Sequence, residues 1–185
     1  ELYEVHNRSH FEIHAFSFGP DTNDEMNLRI KAGVDHFHDV HSMTHKEIAE
    51  LARSLEIDIA VDLTGHTAEA RTDVFAMSAA PLQVNYLGYA GSMGLKYIDY
   101  LIADHIVIPK NNILNYTEKI VYLPNSYMVH DTQNRISKRV FTREEVGLPV
   151  DGFVFCCFNN FYKITPSVFL VWMKILAKVD KSVLW

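Results

Sequence analysis

The segment Ile57 to Leu63, IDIAVDL, is a nearly unbroken apolar run. It constrains the fold more than any other stretch. A run of this length and composition reads as a strand buried on both faces, the usual state of strands in a parallel sheet covered by helices. The polar cluster Thr64-Gly65-His66-Thr67 follows directly. In open α/β sheets, ligands bind just beyond the carboxyl ends of strands, so this loop is a candidate site. Thr67 is placed to cap a helix with Ala70, Val74 and Phe75 on one face and Arg71 beside them. Ala79-Ala80-Pro81 should stop that helix. Leu82 to Leu87 is a second strand candidate, and a loop with glycines at 88, 91 and 94 opens at its end.

The flanking segments repeat the pattern. Residues 1 to 10 read as the end of a helix plus a turn. Phe11 to Phe18 alternates like a strand, and Thr22 with Glu25 suggests a capping box for a helix ending at Gly33. Asp35 to Val40 is a short strand candidate. Thr44 and Glu47 form another capping box, ahead of a helix that places Ile48, Leu51, Ala52 and Leu55 on one face. Tyr97 to Ile102, Ile106 to Ile108 and Lys119 to Leu123 are strand-like. Asn125 to Val140 is polar and aperiodic. Thr142 and Glu145 cap a single turn ended by Gly147. Phe153 to Phe158 reads as a fresh buried strand. Thr165-Pro166 then starts a helix that should bury Val168, Trp172, Ile175 and Val179. Alternating strands and helices indicate βαβ units. The predicted class is therefore α/β, a Rossmann-like parallel sheet with flanking helices. The predicted division is a first lobe over 1–124, a linker over 125–151 and the start of a second lobe over 152–185. Both ends fall inside elements, and the chain reads as an interior piece of a longer protein.

Of the 185 residues, 48% are hydrophobic and 22% charged, enough apolar surface for a core. The net charge is −6, and no Lys/Arg run or basic stripe occurs, which argues against nucleic-acid binding. No apolar stretch approaches about 18 residues, so no membrane span is predicted. The two cysteines, Cys156 and Cys157, are neighbours whose side chains would leave a strand on opposite faces. They read as two small core residues, compatible with a reducing cytoplasm.

Lys163 lies past a strand end and just ahead of a helix N-terminus, where an ammonium can meet a phosphate together with free backbone N–H groups; the alternative is a solvated surface lysine. Arg71 can pair with a phosphate or carboxylate, or hold its loop in place. Gly88 and Gly91 permit close backbone approach, although most such loops are only turns. His36 and His38 share one strand face, with His41 and His45 nearby. No cysteine partner and no H-E-x-x-H spacing accompanies them, so no metal is assigned.

VDLTGHTAEAR, then APLQVNYLGYAGSMG, then GLPVDGFVFCCFNNFYKITPSVFLVWMKIL together resemble the catalytic region of the O-GlcNAc transferase family, the SPINDLY-like glycosyltransferases of bacterial type. The resemblance covers most of residues 57 to 185. It implies two Rossmann-like lobes (the GT-B arrangement) with a nucleotide sugar between them. The implied reaction is inverting transfer of GlcNAc from UDP-GlcNAc to Ser/Thr hydroxyls of proteins, with no cofactor beyond that donor. It also implies a protein acceptor and an upstream helical-repeat domain.

Residue by residue, the resemblance places Lys163 against the UDP diphosphate and Asn160 where animal members carry a glutamine that contacts the nucleotide. Leu87, Gly88 and Ala90 fall in the loop lying against the sugar, with Ala90 where proline is common. Arg71 falls near the active site, and His66 lines the cleft where animal members have tyrosine. The family's histidine and aspartate motif has no match in residues 1 to 35, so the catalytic base is expected upstream of residue 1, and this segment alone should be inactive. Two other readings stand beside this one: another two-lobed UDP-sugar enzyme such as a 2-epimerase, and a non-catalytic binding or scaffold domain.

Overall fold

A computed structural model describes all residues from Glu1 to Trp185. The chain divides into two compact units, Glu1–Asn134 and Arg135–Trp185. Their boundary falls within the stretch read as a linker. All observed strand pairings are parallel.

The first unit opens with α1 (Leu2–Val5), β1 (His14–Ser17), α2 (Glu25–Gly33), β2 (His36–Asp39) and α3 (His45–Ser54). β3 (Ile59–Asp62), α4 (Asp73–Ala76), β4 (Leu82–Tyr86), β5 (Tyr100–Ala103) and β6 (Lys119–Tyr122) follow. β1 and β2 form one two-stranded sheet; β3, β4, β5 and β6 form a second, in chain order. The α3 capping box forms as its sequence requires. Glu47 N–H donates to Thr44 Oγ1 at 3.3 Å, and Thr44 N–H donates to Glu47 Oε2 at 2.7 Å. Its apolar face then buries Ile48, Ala49 and Ala52 against Val40, Val74 and Ala79. Phe16 of β1 and Ala60 of β3 pack on this same cluster, so α3 joins the two sheets. Burying Ile48 alone contributes about 1.5–3 kcal/mol. A second cluster centres on Leu101, Ala103 and Ile108.

Several local expectations are corrected. α2 is capped by Asp24, whose carboxylate accepts from Asn27 N–H at 2.8 Å; the Thr22 hydroxyl donates to Asp24 instead. The helix expected from Thr67 begins only at Asp73, because Glu69 takes φ +63° and breaks the helical path. Ile106 to Ile108 is a turn: the Asp104 carboxylate accepts from the Ile106 and Val107 N–H groups. β3 is covered on one face only. Asp62 is 4% exposed, while Ile59 and Val61 are 50% and 43% exposed.

The second unit contains β7 (Val154–Phe155), α5 (Pro166–Leu176) and β8 (Val183–Leu184), with β7 and β8 paired. Thr165 caps α5 and Pro166 opens it, as the sequence indicates. The burial expected along it is absent: no residue of α5 is fully buried, and Val168 and Ile175 are 39% and 40% exposed. Two strands of two residues cannot cover so apolar a helix. For the same reason Cys156 is exposed and Cys157 half-buried, rather than both lying in a core; both are free thiols.

Residues 127 to 132 are tied to the first unit. Tyr127 N–H donates to Asp104 Oδ2 at 2.8 Å, and the Tyr86 hydroxyl donates to Tyr127 O at 2.8 Å. Arg29 bridges Glu4 and Asp131. No helix is long and apolar enough to cross a membrane.

Candidate functional site

The parallel register sets Asp62 opposite Asn85 at the carboxyl ends of β3 and β4, so the loops after these strands emerge side by side. Each loop is held by a residue at the carboxyl end of its strand, Asp62 as the last of β3 and Asn85 as the last but one of β4. Asp62 Oδ1 accepts from Thr64 N–H at 2.8 Å, Thr64 Oγ1 at 2.8 Å and Gly65 N–H at 3.0 Å. Asn85 Nδ2 donates to Tyr89 O at 2.9 Å. Both side chains are buried, and each has one oxygen without a partner, Asp62 Oδ2 and Asn85 Oδ1. Sequence reasoning passed over this pair. An aspartate followed by Thr-Gly at a strand end is an Asx-turn signal that could have found Asp62; nothing in the sequence pairs it with Asn85.

The two loops pack closely. A Cβ on Gly88 would lie 2.1 Å from Leu63 O, and one on Gly65 (φ +59°) would lie 2.4 Å from Tyr89 Cβ. Glycine is required at both positions. Leu87 takes φ +73°, a conformation that costs a non-glycine residue of order 1–3 kcal/mol. The far end of the second loop is fixed by buried Glu118, whose carboxylate accepts from Ser92 Oγ at 2.8 Å and Met93 N–H at 2.6 Å. The Tyr116 hydroxyl donates to Ala90 O at 3.4 Å, and burial, with Glu118 adding, raises its pKa.

Of the residues singled out in the sequence, His66, Leu87, Gly88 and Ala90 are on these two loops. His66 Nε2 lies 2.8 Å from Met93 O, and the ring meets Tyr89 edge-on with centroids 5.6 Å apart, so it joins one loop to the other. Arg71 is turned elsewhere. Its guanidinium donates to Val40 O at 3.2 Å and to Met43 O at 2.5 Å, which fixes the β2–α3 connection. Asn160 and Lys163 are in the second unit. Both are exposed: Lys163 ends a short 3-10 turn, Phe161–Lys163, just before the capped N-terminus of α5, and Asn160 precedes that turn. Lys163 N–H donates to Asn160 O at 3.0 Å, which shapes the turn that presents both side chains. A wide groove lined by Arg53, Glu56, Ile57, Asp58 and Pro81 opens at the amino ends of β3 and β4, the wrong end for a site of this sheet type.

The sequence profile of glycosyl transferase family 41 matches residues 1–140 and 135–185. The chain belongs to glycosyl transferase family 41. Among its relatives is the probable UDP-N-acetylglucosamine–peptide N-acetylglucosaminyltransferase SEC of Arabidopsis thaliana, 37% identical over 189 aligned residues. That alignment covers 100% of this chain and 19% of the relative. The rice SPINDLY protein, named for the same probable activity, is 34% identical over 182 residues, covering 96% of this chain and 19% of its own length. Among solved structures, a lysine-to-methionine mutant of the Thermobaculum terrenum O-GlcNAc transferase superposes with a TM-score of 0.84 at 31% identity. It covers 99% of this chain, which spans 34% of that structure. The family 41 chain therefore spans about a fifth of the length of its plant relatives, and its parallel sheets match the fold of a bacterial member.

Proposed function

We propose that this family 41 chain is part of a glycosyltransferase that moves GlcNAc from UDP-GlcNAc to Ser/Thr hydroxyls of proteins. The observation that carries the reading is the family match along the whole chain, which includes both the paired loops beyond β3 and β4 and the turn bearing Lys163. In the reaction, the acceptor oxygen attacks the anomeric carbon and the bond to the UDP oxygen breaks. UDP leaves with the electron pair, and the hydroxyl proton passes to a base. The Lys163 ammonium and the N-terminal N–H groups of α5 stabilise the charge that develops on the diphosphate. Asn160, beside it, offers an amide to the nucleotide. The strained Leu87-Gly88 backbone and Ala90 lie against the sugar, held in shape by Asp62, Asn85 and His66. Arg71 acts through the β2–α3 connection. No residue of this chain is assigned as the base, which we place in sequence preceding Glu1. The upstream helical repeats that bind the protein acceptor belong to the same proposal. The two free cysteines support a reducing, cytoplasmic setting.

The test is product analysis of the full-length protein with UDP-GlcNAc and a protein acceptor. Glycosylated acceptor and released UDP are expected. Sugar interconversion without transfer would instead identify a 2-epimerase-like enzyme, and binding without turnover a scaffold. Lys163→Ala should lower turnover by about 10²–10³-fold, the usual cost of losing one stabilising group for a leaving anion. Near-normal turnover would remove Lys163 from the mechanism.

A further inference from the structure

The register of β1 and β2 brings together donor atoms that lie far apart in sequence. His14 and His36 are direct cross-strand partners, and in a parallel pair their side chains share one face. Their ring centroids are 4.4 Å apart. Glu12, just before β1, reaches over both: its Oε1 is 2.6 Å from His36 Nε2 and 3.5 Å from His14 Nε2. One donor atom from each of Glu12, His14 and His36 lies within 4.8 Å of the other two.

We propose that Glu12, His14 and His36 form a binding site for a divalent late first-row transition metal such as Zn²⁺. Ligands about 2.0–2.1 Å from a tetrahedral zinc ion sit about 3.3 Å from one another, so small side-chain rotations convert the present cluster into three ligands with the fourth position open to water. Two imidazoles and one carboxylate suit zinc and its neighbours better than calcium or magnesium, which prefer oxygen. A third histidine, His38, orients His14. His14 Nδ1 lies 3.0 Å from His38 Nε2. When Nδ1–H donates to His38, His14 Nε2 is left as a lone pair directed at the cluster, the arrangement of a metal-ligating histidine with its outer hydrogen bond. Glu12 and His36 are exposed, so an ion can enter from solvent. The site is on the β1–β2 sheet, apart from the loops beyond β3 and β4, and a bound ion would clamp β1 to β2.

The test is calorimetric titration of ZnCl₂ into the EDTA-stripped 185-residue chain at neutral pH, with imidazole signals of the native chain followed by NMR. Binding of one equivalent, with the His14 and His36 signals moving together, is expected. Glu12→Gln and His36→Gln should each weaken binding by about tenfold or more, whereas His105→Gln, which alters a ring stacked on Tyr122, should not. Absence of saturable binding overturns the proposal, as does one-equivalent binding that survives in a His14→Gln/His36→Gln double variant. The NMR shifts of the native chain decide the matter should either variant fail to fold.

Discussion

Asp62 is the residue whose substitution tests the loop architecture most sharply. Its Oδ1 accepts three hydrogen bonds from Thr64 and Gly65, while its Oδ2 is buried without a partner. Asp62→Ala strands the Thr64 and Gly65 N–H groups, and each buried donor left unmade costs about 1–3 kcal/mol. A loss of about 2–4 kcal/mol is expected, after partial relief from water reaching the loop. Asp62→Asn should be milder. The amide oxygen keeps the three bonds, and only the oxygen without a partner is exchanged for an NH₂. A loss clearly smaller than that of Asp62→Ala is expected, because the loop N–H groups keep their acceptor. The assay is urea denaturation followed by far-UV circular dichroism. Tryptophan fluorescence would miss the effect, since Trp172 and Trp185 are both in the second unit. If Asp62→Asn destabilises as much as Asp62→Ala, the negative charge itself is required, and the account based on hydrogen bonds is wrong.

Two further predictions concern the first unit. Gly88→Ala places a methyl group 2.1 Å from the Leu63 carbonyl oxygen, a backbone atom that cannot swing away. It should cost about 1–3 kcal/mol, measured by the same denaturation, and should lower sugar-donor affinity in the full-length protein. The Arg29 guanidinium, by hydrogen bonds to both, lowers the Glu4 and Asp131 pKa values to about 2. A carboxylate with a depressed folded-state pKa adds stability above its unfolded value and loses it as pH falls through the folded one. The tether joining α1, α2 and residue 131 should therefore hold above about pH 4 and release toward pH 2. Side-chain carboxyl titration by NMR checks this, and Arg29→Gln should return both carboxyls toward their ordinary range; unchanged titration would show that Arg29 is not the cause.

Much of the local structure was legible along the chain. The capping boxes at Thr44/Glu47 and Thr142/Glu145 and the Thr165-Pro166 helix start are set by hydrogen bonds and periodicities spanning a few residues, and they form as read. The glycines beyond β4 were also legible, as was the family, because both rest on contiguous motifs. Other features depend on contacts the sequence does not display. Glu69 breaks the helix expected from Thr67, and Asp104 folds Ile106 to Ile108 into a turn, since local hydrogen bonding outweighs apolar propensity there. Arg71 could have met a phosphate or held a loop; only the folded chain turns it onto the carbonyls of residues 40 and 43.

The sequence by itself determined the α/β class, the element boundaries governed by caps and turns, and the positions of the two loop motifs. Tertiary structure alone decided which residues meet across strands. Register sets Asp62 against Asn85 and His14 against His36, pairs separated by 23 and 22 positions. Pairing of parallel strands is fixed by burial of whole faces on α3, not by any residue near either partner, so these pairs leave no trace in local pattern.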